Sequence, residues 1–260
     1  MLARPPTISA FAAAMRALGR SDPPASFLLA GKRYTLATVV KHDFWAATAF
    51  YDCENGDRAV AKINRCTPFA GIALSWVGRW LCRREVRFYA RLQHIPNIPR
   101  LLGRIGATGY VHHYVPGQPL AKGMPLPETF FPELHDVMTQ IHGQSTAYVD
   151  ANKRENILLG DDGSPHLIDF QISFDLHEFG DNFITRRVLR HLQAADRYHI
   201  LKHQRRLAPS TLTPQQHFEA QRVGWLTRLH RAITRPYFAV RRPLLRRLRA
   251  GGHILSEGSK

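Results

Sequence analysis

The chain has 260 residues, and 36 Lys and Arg outnumber 20 Asp and Glu to give a formal net charge of +16 and a pI of about 10.5. Hydrophobic residues make up 44%, a share typical of globular proteins that excludes a wholly disordered chain. No run reaches the ~18 consecutive apolar residues of a membrane-spanning helix. The three cysteines have no Cys-x-x-Cys spacing, which argues against a disulfide scaffold or a zinc ribbon and is typical of a reducing cytosol.

The pattern of apolar residues predicts an α+β chain with two lobes. A short amphipathic helix is expected near residues 8–15. The first lobe then consists of strands, one long helix and two more strands, and the second is mostly helical after a proline-rich linker. The predicted strands lie at 34–41, 45–53, 58–63, 101–105, 110–115, 157–159 and 166–170, and the predicted helices at 71–93 and 130–142. Four segments follow from this order, namely an N-terminal extension 1–33, lobes at 34–115 and 116–205, and a basic helical segment 206–260.

Four polar residues lie where ordinary surface residues are not expected. Lys62 ends the strand sequence Ala-Val-Ala-Lys, and Glu85 falls on the apolar stripe of the helix 71–93. A carboxylate on a buried face is costly unless a cation meets it. Asp150 follows an apolar segment, and Asp169 closes the strand 166–170. Each residue alone could have a purely structural role, as part of an ion pair, as a helix cap or in a turn. The four residues in this order favour a functional site more strongly than any one of them does.

That order resembles the protein-kinase-like superfamily of phosphotransferases over roughly residues 34–200. The Val60-Ala-Lys62 strand looks like the phosphate-contacting lysine strand, and Glu85 looks like its helix partner. Tyr148-Val-Asp150 with Asn156 looks like the catalytic loop, and Asp169-Phe-Gln looks like the metal-binding Asp-Phe-Gly element.

The resemblance implies a bilobal protein-kinase-like fold and a set of roles. Asp150, Lys62 and Glu85 are expected to be catalytic, and Asn156 and Asp169 are expected to bind Mg²⁺ or Mn²⁺. The segment from Tyr110 to Tyr114 looks like the hinge that holds adenine. The residues expected to contact ATP are Lys62, Val60, Tyr110, His112 and Tyr114.

The chain also departs from the pattern of regulated protein kinases. The turn 41–47 lacks Gly-x-Gly-x-x-Gly, Asn156 lies six residues after Asp150 instead of five, and Gln171 replaces the glycine of the metal-binding element. There is no Ala-Pro-Glu element and no long activation segment, and Asp196 is a candidate structural aspartate. These features resemble atypical members, such as RIO-type kinases and bacterial lipopolysaccharide-core sugar kinases.

The excess charge belongs to the end of the chain. Residues 181–260 hold 17 Lys and Arg against 4 Asp and Glu, whereas residues 1–180 have a net charge of only +3. Between residues 222 and 249, apolar residues alternate with arginines, a composition typical of an interfacial helix on an anionic membrane or of a helix on an acidic partner. Nucleic acid is a weaker expectation because no spaced stacking motif is present.

The sequence therefore predicts an ATP-dependent kinase that phosphorylates a hydroxyl, either on protein Ser/Thr or on a sugar of a lipopolysaccharide-type glycolipid. It is expected in the cytoplasm, with peripheral contact to the inner face of the membrane. The alternatives are an inactive pseudokinase and a basic binding module for membrane or nucleic acid. Loss of the glycine-rich turn favours a pseudokinase. Retention of the five residues expected to be catalytic or to bind metal opposes it, namely Lys62, Glu85, Asp150, Asn156 and Asp169.

Overall fold

The computed structural model describes residues 9–216, which form two compact units. The first contains residues 9–90 and 100–114, and the second contains residues 91–99 and 115–216. The predicted basic segment between residues 222 and 249 lies outside the described residues. Within residues 9–216, no helix combines the length and the apolar character needed to cross a membrane.

The first unit is built on an antiparallel sheet of six strands. The strands at the centre of the sheet are mostly buried, whereas the edge strand 26–29 alternates between exposed and half-buried residues. The strands are β1 (Ser26–Leu29), β2 (Lys32–His42), β3 (Ala46–Cys53), β4 (Arg58–Asn64), β5 (Leu101–Ile105) and β6 (Gly109–His113). Their order in the sheet is β1-β2-β3-β4-β6-β5. A short helix α1 (Ala10–Ala14) precedes them, where the sequence predicts one.

The sheet begins earlier in the chain than the sequence predicts. β1 lies within the segment predicted as an N-terminal extension and pairs with β2. The Phe27 ring stacks on the Tyr34 ring with centroids 5.2 Å apart, and it packs edge-to-face with the Tyr51 ring, with centroids 4.8 Å apart. These aromatic contacts explain the pairing, because they bury apolar area that a free extension would expose. The predicted domain boundaries otherwise stay a prediction.

The helix α2 (Ser75–Leu92) is four residues shorter at its start than the predicted 71–93. Its approach to the end of β4 depends on Gly78. A Cβ at this position would lie 1.9 Å from the backbone oxygen of Arg65, closer than any real contact. Gly78 therefore allows the first turns of α2 to lie directly against the backbone that follows Lys62.

Arg65 is a fully buried arginine that ties together the segments around the end of β4. Its guanidinium donates to five backbone carbonyls, and it lies 4.0 Å from the centroid of the Phe44 ring. The accepting carbonyls belong to Ala14, Arg16, Phe44, Thr67 and Pro68. Because burial disfavours the charged form, the pKa of Arg65 is lowered, and the carbonyls and the ring compensate the buried charge.

The second unit is mostly helical, with two small sheets among its described residues. A long helix at residues 183–207 packs against the helix at residues 130–143, and both contact the short strand at residues 146–147. The helices are α3 (Phe130–Gly143), α4 (Leu176–Phe179) and α5 (Phe183–Leu207). The strands are β7 (Gly117–Pro119), β8 (Thr146–Ala147), β9 (Ile157–Gly160), β10 (Pro165–Leu167) and β11 (Phe174–Asp175). The predicted helix 130–142 and the predicted strand 157–159 match this structure within one residue, whereas the strand predicted at 166–170 ends at Leu167.

We expect Gly78→Ala to destabilise the first unit, because the added Cβ collides with backbone that cannot rotate away. Overpacking of this kind costs about 1–3 kcal/mol, and thermal or urea unfolding measures it. Gly143→Ala is the matched control, because a Cβ added there would meet nothing within 4 Å. Alanine there should be neutral or stabilising, since it is the better helix former. Equal stability of Gly78→Ala and wild type would contradict the close approach.

Candidate functional site

The first group of predicted site residues surrounds a buried ion pair. Lys62 Nζ lies 2.6 Å from Glu85 Oε1, and the Glu85 side chain is fully buried. Lys62 is itself only 8% exposed. Lys62 lies on β4, and Glu85 lies on α2, about two helical turns after Gly78. The sequence places the Glu85 carboxylate on a buried face, where it needs a cation. Lys62, the partner that the resemblance assigns to Glu85, supplies that cation.

Two further side chains satisfy the Glu85 carboxylate. The Tyr110 hydroxyl donates to Oε1 at 2.9 Å, and Asn64 Nδ2 donates to Oε2 at 3.4 Å. Tyr110 lies directly across from Lys62 in the register of β6 and β4. Hydrogen bonds to a carboxylate favour its ionised form and fix its position. The sequence predicts that Tyr110 contacts adenine. In the structure, the side-chain hydroxyl of Tyr110 donates to Glu85.

The other predicted nucleotide residues lie nearby on the same strands. Val60 pairs with His112 across β6, and it shares a face of β4 with Lys62 by the period of two. The His112 ring stacks on Tyr89 of α2 at 5.1 Å. Tyr114 follows β6, donates its amide to the Arg58 carbonyl, and lies 5.1 Å from the Phe50 ring. The structure thus places these residues on the strand pair that carries Lys62.

The turn between β2 and β3 differs from a phosphate-binding loop of free amides. Asp43 Oδ1 accepts the backbone N–H groups of Trp45 at 2.8 Å and Ala46 at 3.0 Å. Lys41 Nζ lies 3.2 Å from the other carboxylate oxygen. Although burial acts in the opposite direction, Lys41 and these amides lower the pKa of Asp43. A carboxylate of this chain thus occupies the donors that a glycine-rich turn would offer to phosphate.

His42, at the end of β2, is a second polar residue near this turn. It is fully buried, and its Nε2 accepts the Leu18 amide at 3.2 Å. Its Nδ1 lies 2.7 Å from the Arg16 guanidinium. Burial and the Arg16 charge lower the pKa of His42 to about 4. His42 is therefore neutral at pH 7 and joins the N-terminal segment to the turn instead of binding phosphate.

The second group of predicted site residues lies in the loop that follows β8. Asp150 Oδ2 accepts from Lys153 Nζ at 2.6 Å and from Asn156 Nδ2 at 2.9 Å. Burial raises the pKa of the Asp150 carboxyl, and the charge of Asp169 raises it further, whereas Lys153 and Asn156 act in the opposite direction. Because Asn156 donates its amide nitrogen to Asp150, its amide oxygen is the group that remains suited to a cation.

Asp169 lies after β10 with a backbone φ of +63°, a left-handed conformation that is uncommon for a residue with a side chain. Its Oδ1 accepts the Gln171 amide at 3.3 Å. The following Phe170 is fully buried and lies 5.3 Å from the Tyr148 ring. The Tyr148 hydroxyl in turn donates to the carbonyl of Ile168. Tyr148 therefore connects the segment before Asp150 to the segment of Asp169.

Asp196 on α5 fixes the start of this loop. Its two oxygens accept the backbone N–H groups of Tyr148 and Val149, each at 2.8 Å, and His142 Nε2 lies 3.1 Å from Oδ2. Val149 has a φ of +70°, which is strained for a β-branched residue. Asp196 is fully buried, so its hydrogen bonds offset this strain immediately before Asp150.

Sequence reasoning missed Lys153 and Asn64 as members of these two groups, and it placed Tyr148 in the loop motif without a role for its hydroxyl. The spacing of Lys153, three residues after Asp150 in the same polar loop, was an available signal. Asn64 shares the face of β4 with Lys62, and that period of two was also visible. No sequence signal pointed to the Tyr148 hydroxyl, because its partner carbonyl is 20 residues away.

The residues of the second group suit a hard divalent cation. Asp150, Asp169 and Asn156 offer carboxylate and amide oxygens, the ligands that Mg²⁺ prefers. Within residues 9–216, no three His, Cys, Asp or Glu side chains lie close enough to hold a metal by themselves. This donor set fits Mg²⁺ that shares its coordination with phosphate and water, as is usual for nucleotide sites.

Comparison with known proteins identifies the fold. No family model and no curated protein matches the chain. Among solved structures, the BubR1 kinase domain is similar with a TM-score of 0.53 at 16% identity, over 72% of this chain and 66% of that one. This likeness confirms the predicted protein-kinase-like α+β fold.

Two structures of Rio2 kinase from Chaetomium thermophilum also match, each with a TM-score of 0.47. The first is 17% identical over 70% of this chain and 60% of that one. The second, an ADP/Mg²⁺-phosphoaspartate complex, is 15% identical over 75% of this chain and 63% of that one. This chain thus spans 60–66% of the length of the three solved chains.

We expect Asp196→Asn to destabilise the loop before Asp150, because an amide NH₂ would face a backbone N–H that now donates to an oxygen. Buried hydrogen bonds to a charged group contribute about 1.5–3 kcal/mol each, and urea unfolding measures the loss. Asp162→Asn is the matched control, since Asp162 also accepts a backbone amide but is exposed. Equal unfolding free energies for the two variants would show that Asp196 does not hold the loop.

Proposed function

We propose that this chain is an ATP-dependent phosphotransferase that moves the γ-phosphate to a hydroxyl acceptor. The observation that carries the proposal is the buried Lys62–Glu85 pair on a protein-kinase-like fold. A buried ion pair is seldom more stable than well-packed apolar side chains, so stability alone does not explain its presence. A polyanionic ligand does, because it needs a lysine held in a fixed position.

In this proposal Lys62 binds the nucleotide phosphates, and Glu85 holds the amine in place. Tyr110 acts through Glu85 as a positioning residue, since its hydroxyl donates to that carboxylate. Val60, His112 and Tyr114 are the remaining residues proposed to bind the nucleotide. The division of labour matches phosphoryl transfer, which depends on positioning and charge neutralisation more than on covalent chemistry by the protein.

The loop residues supply the remaining roles. Asp169 and the amide oxygen of Asn156 are proposed to hold Mg²⁺ or Mn²⁺, which when bound neutralises phosphate charge. Asp150 orients the acceptor hydroxyl and accepts its proton. Lys153, 2.6 Å from Asp150, keeps that carboxylate in place and is a further cation beside the transferred group.

The acceptor is proposed to be a protein Ser/Thr hydroxyl or a sugar hydroxyl of a lipopolysaccharide-type glycolipid. Asp150 would serve either acceptor in the same way, so direct assays of both classes distinguish them. The free thiols of Cys53, Cys66 and Cys82 support action in a reducing compartment such as the cytoplasm.

A pseudokinase is the second candidate, and the Asp43 turn favours it. Phosphate would compete with the Asp43 carboxylate for the amides of Trp45 and Ala46. A protein that binds nucleotide weakly, or without turnover, would show this feature. Retention of Lys62, Asp150 and Asp169 supports the catalytic proposal over this one.

The test is Mg²⁺-dependent ATP turnover by wild type, Asp169→Asn and Asp150→Ala, with Mn²⁺ as the alternative metal. We expect turnover by wild type and a loss of about 10²-fold or more in each variant, because each removes a charge that acts on the transferred group or acceptor. Asp136→Asn, an exposed residue of α3, is the control and should match wild type.

Equal background turnover in all four proteins would refute the enzyme. A thermal shift with ATP in wild type but no turnover would instead identify the pseudokinase. The two candidates therefore give different pairs of results in the same samples.

A further inference from the structure

Helix α2 exposes two tryptophans on the side opposite to Glu85. Trp76 is 61% exposed and Trp80 is 47% exposed, and Ile72 before the helix is 62% exposed. Phe69 is also exposed and forms an isolated bridge with Ile72. Large apolar side chains that lie together at a surface mark an interaction site more often than single ones do.

Arginines lie between these aromatic side chains. Trp76, Arg79, Trp80 and Arg83 are all exposed, and their spacing of i, i+3, i+4 and i+7 places them on one side of the helix. We call Phe69, Ile72, Trp76, Arg79, Trp80 and Arg83 the Trp–Arg face. The buried side of α2 packs without these residues, since Leu81, Cys82, Glu85, Phe88 and Tyr89 form it.

The charge of the Trp–Arg face has one sign. The only acidic residue of α2 is Glu85, which is buried and paired with Lys62. Arg84 is mostly buried, with its guanidinium 5.5 Å from the centroid of the Trp80 ring and 5.4 Å from that of Phe88. This contact holds the Trp80 indole against the helix by a cation–π interaction. Arg79 and Arg83 therefore present their charge beside the Trp80 indole that Arg84 holds, with no other carboxylate on α2 to neutralise it.

We propose that the Trp–Arg face docks on a membrane surface that contains anionic lipid. Indoles gain most at the boundary between acyl chains and headgroups, because the ring is apolar and its N–H needs a polar partner. Arginines extend their charge to lipid phosphates while their stems remain in apolar surroundings. A membrane offers both environments side by side over a broad surface, and this chemistry matches the face.

Other partners match the face less well. Nucleic acid would satisfy the arginines and stack on indoles, but Ile72 would gain nothing from stacking. A protein partner would need an acidic groove shaped to a single convex helix. The membrane inference uses only residues of the first unit, and it holds whether or not the chain transfers phosphate.

The experiment measures co-sedimentation of the full chain with phosphatidylcholine vesicles, with and without phosphatidylglycerol. We expect binding only when phosphatidylglycerol is present. Trp76→Ser/Trp80→Ser should weaken it by about tenfold or more, because both indoles leave the interface. Arg79→Gln/Arg83→Gln should weaken it by roughly 25-fold, since each arginine near an anionic surface contributes about fivefold.

Matched controls come from the start of α5, where apolar and basic residues are equally exposed. Phe183 is 73% exposed, so Phe183→Ser/Ile184→Ser removes as much surface apolar area. Arg187→Gln/Arg190→Gln removes the same charge. Both controls should bind vesicles as wild type does. Circular dichroism and ATP turnover of every variant separate lost docking from lost folding or lost activity.

A direct readout uses the tryptophan emission. The chain has four tryptophans, and Trp45→Phe/Trp225→Phe leaves only those of α2. Brominated lipid should quench their emission when phosphatidylglycerol is present. Absence of quenching, or vesicle binding unchanged in Trp76→Ser/Trp80→Ser, would overturn the proposal. So would RNA binding or self-association that the double variant abolishes while vesicle binding persists.

Discussion

The first unit is organised around one carboxylate that must not be left unpaired. Glu85 is fully buried, and Lys62, Tyr110 and Asn64 all donate to it. Removing a partner from a buried charge costs about 3–5 kcal/mol, so the position of α2 relative to β4 is under strong constraint. Gly78 makes this position accessible, because any side chain there would meet the Arg65 backbone. Arg65 then extends the same constraint to the turn before β3.

The second unit depends on a similar constraint, in which Asp196 of α5 is the buried charge. Asp196 holds two consecutive backbone amides, and the strained φ of Val149 is retained between them. Asp150 is the next residue in the chain, and the side chains of Lys153 and Asn156 donate hydrogen bonds to its carboxylate. Each unit thus buries an acid that fixes the position of a polar residue of the candidate site, and preorganised charge of this kind is typical of catalytic sites.

Much of the candidate site could be predicted from the sequence, because its residues conflict with their surroundings. Glu85 interrupts an apolar stripe. The occurrence of Lys62, Glu85, Asp150 and Asp169 in this order is hard to explain by structural roles alone. The contacts of Arg65 could not be predicted, since its five carbonyl partners come from segments up to 51 residues away. The hydrogen bonds from the backbone amides of Trp45 and Ala46 to Asp43 could not be predicted either, because they depend on one side-chain conformation of Asp43. The pairing of β1 with β2 was not predicted, because a strand of four residues is too short to show a clear alternation of apolar and polar residues.

The most direct test compares Lys62→Met with the triple variant Lys62→Met/Glu85→Leu/Tyr110→Phe, by urea unfolding and by thermal shift with ATP. We expect Lys62→Met to lose about 3–5 kcal/mol, because it removes the Lys62 cation from the buried Glu85 carboxylate. The triple variant should recover part of that loss, since apolar groups of similar size replace Lys62, Glu85 and Tyr110 and only Asn64 of the cluster stays polar, and it should show no thermal shift with ATP. A triple variant that binds ATP as wild type does would contradict the claim that this buried pair exists to hold phosphate.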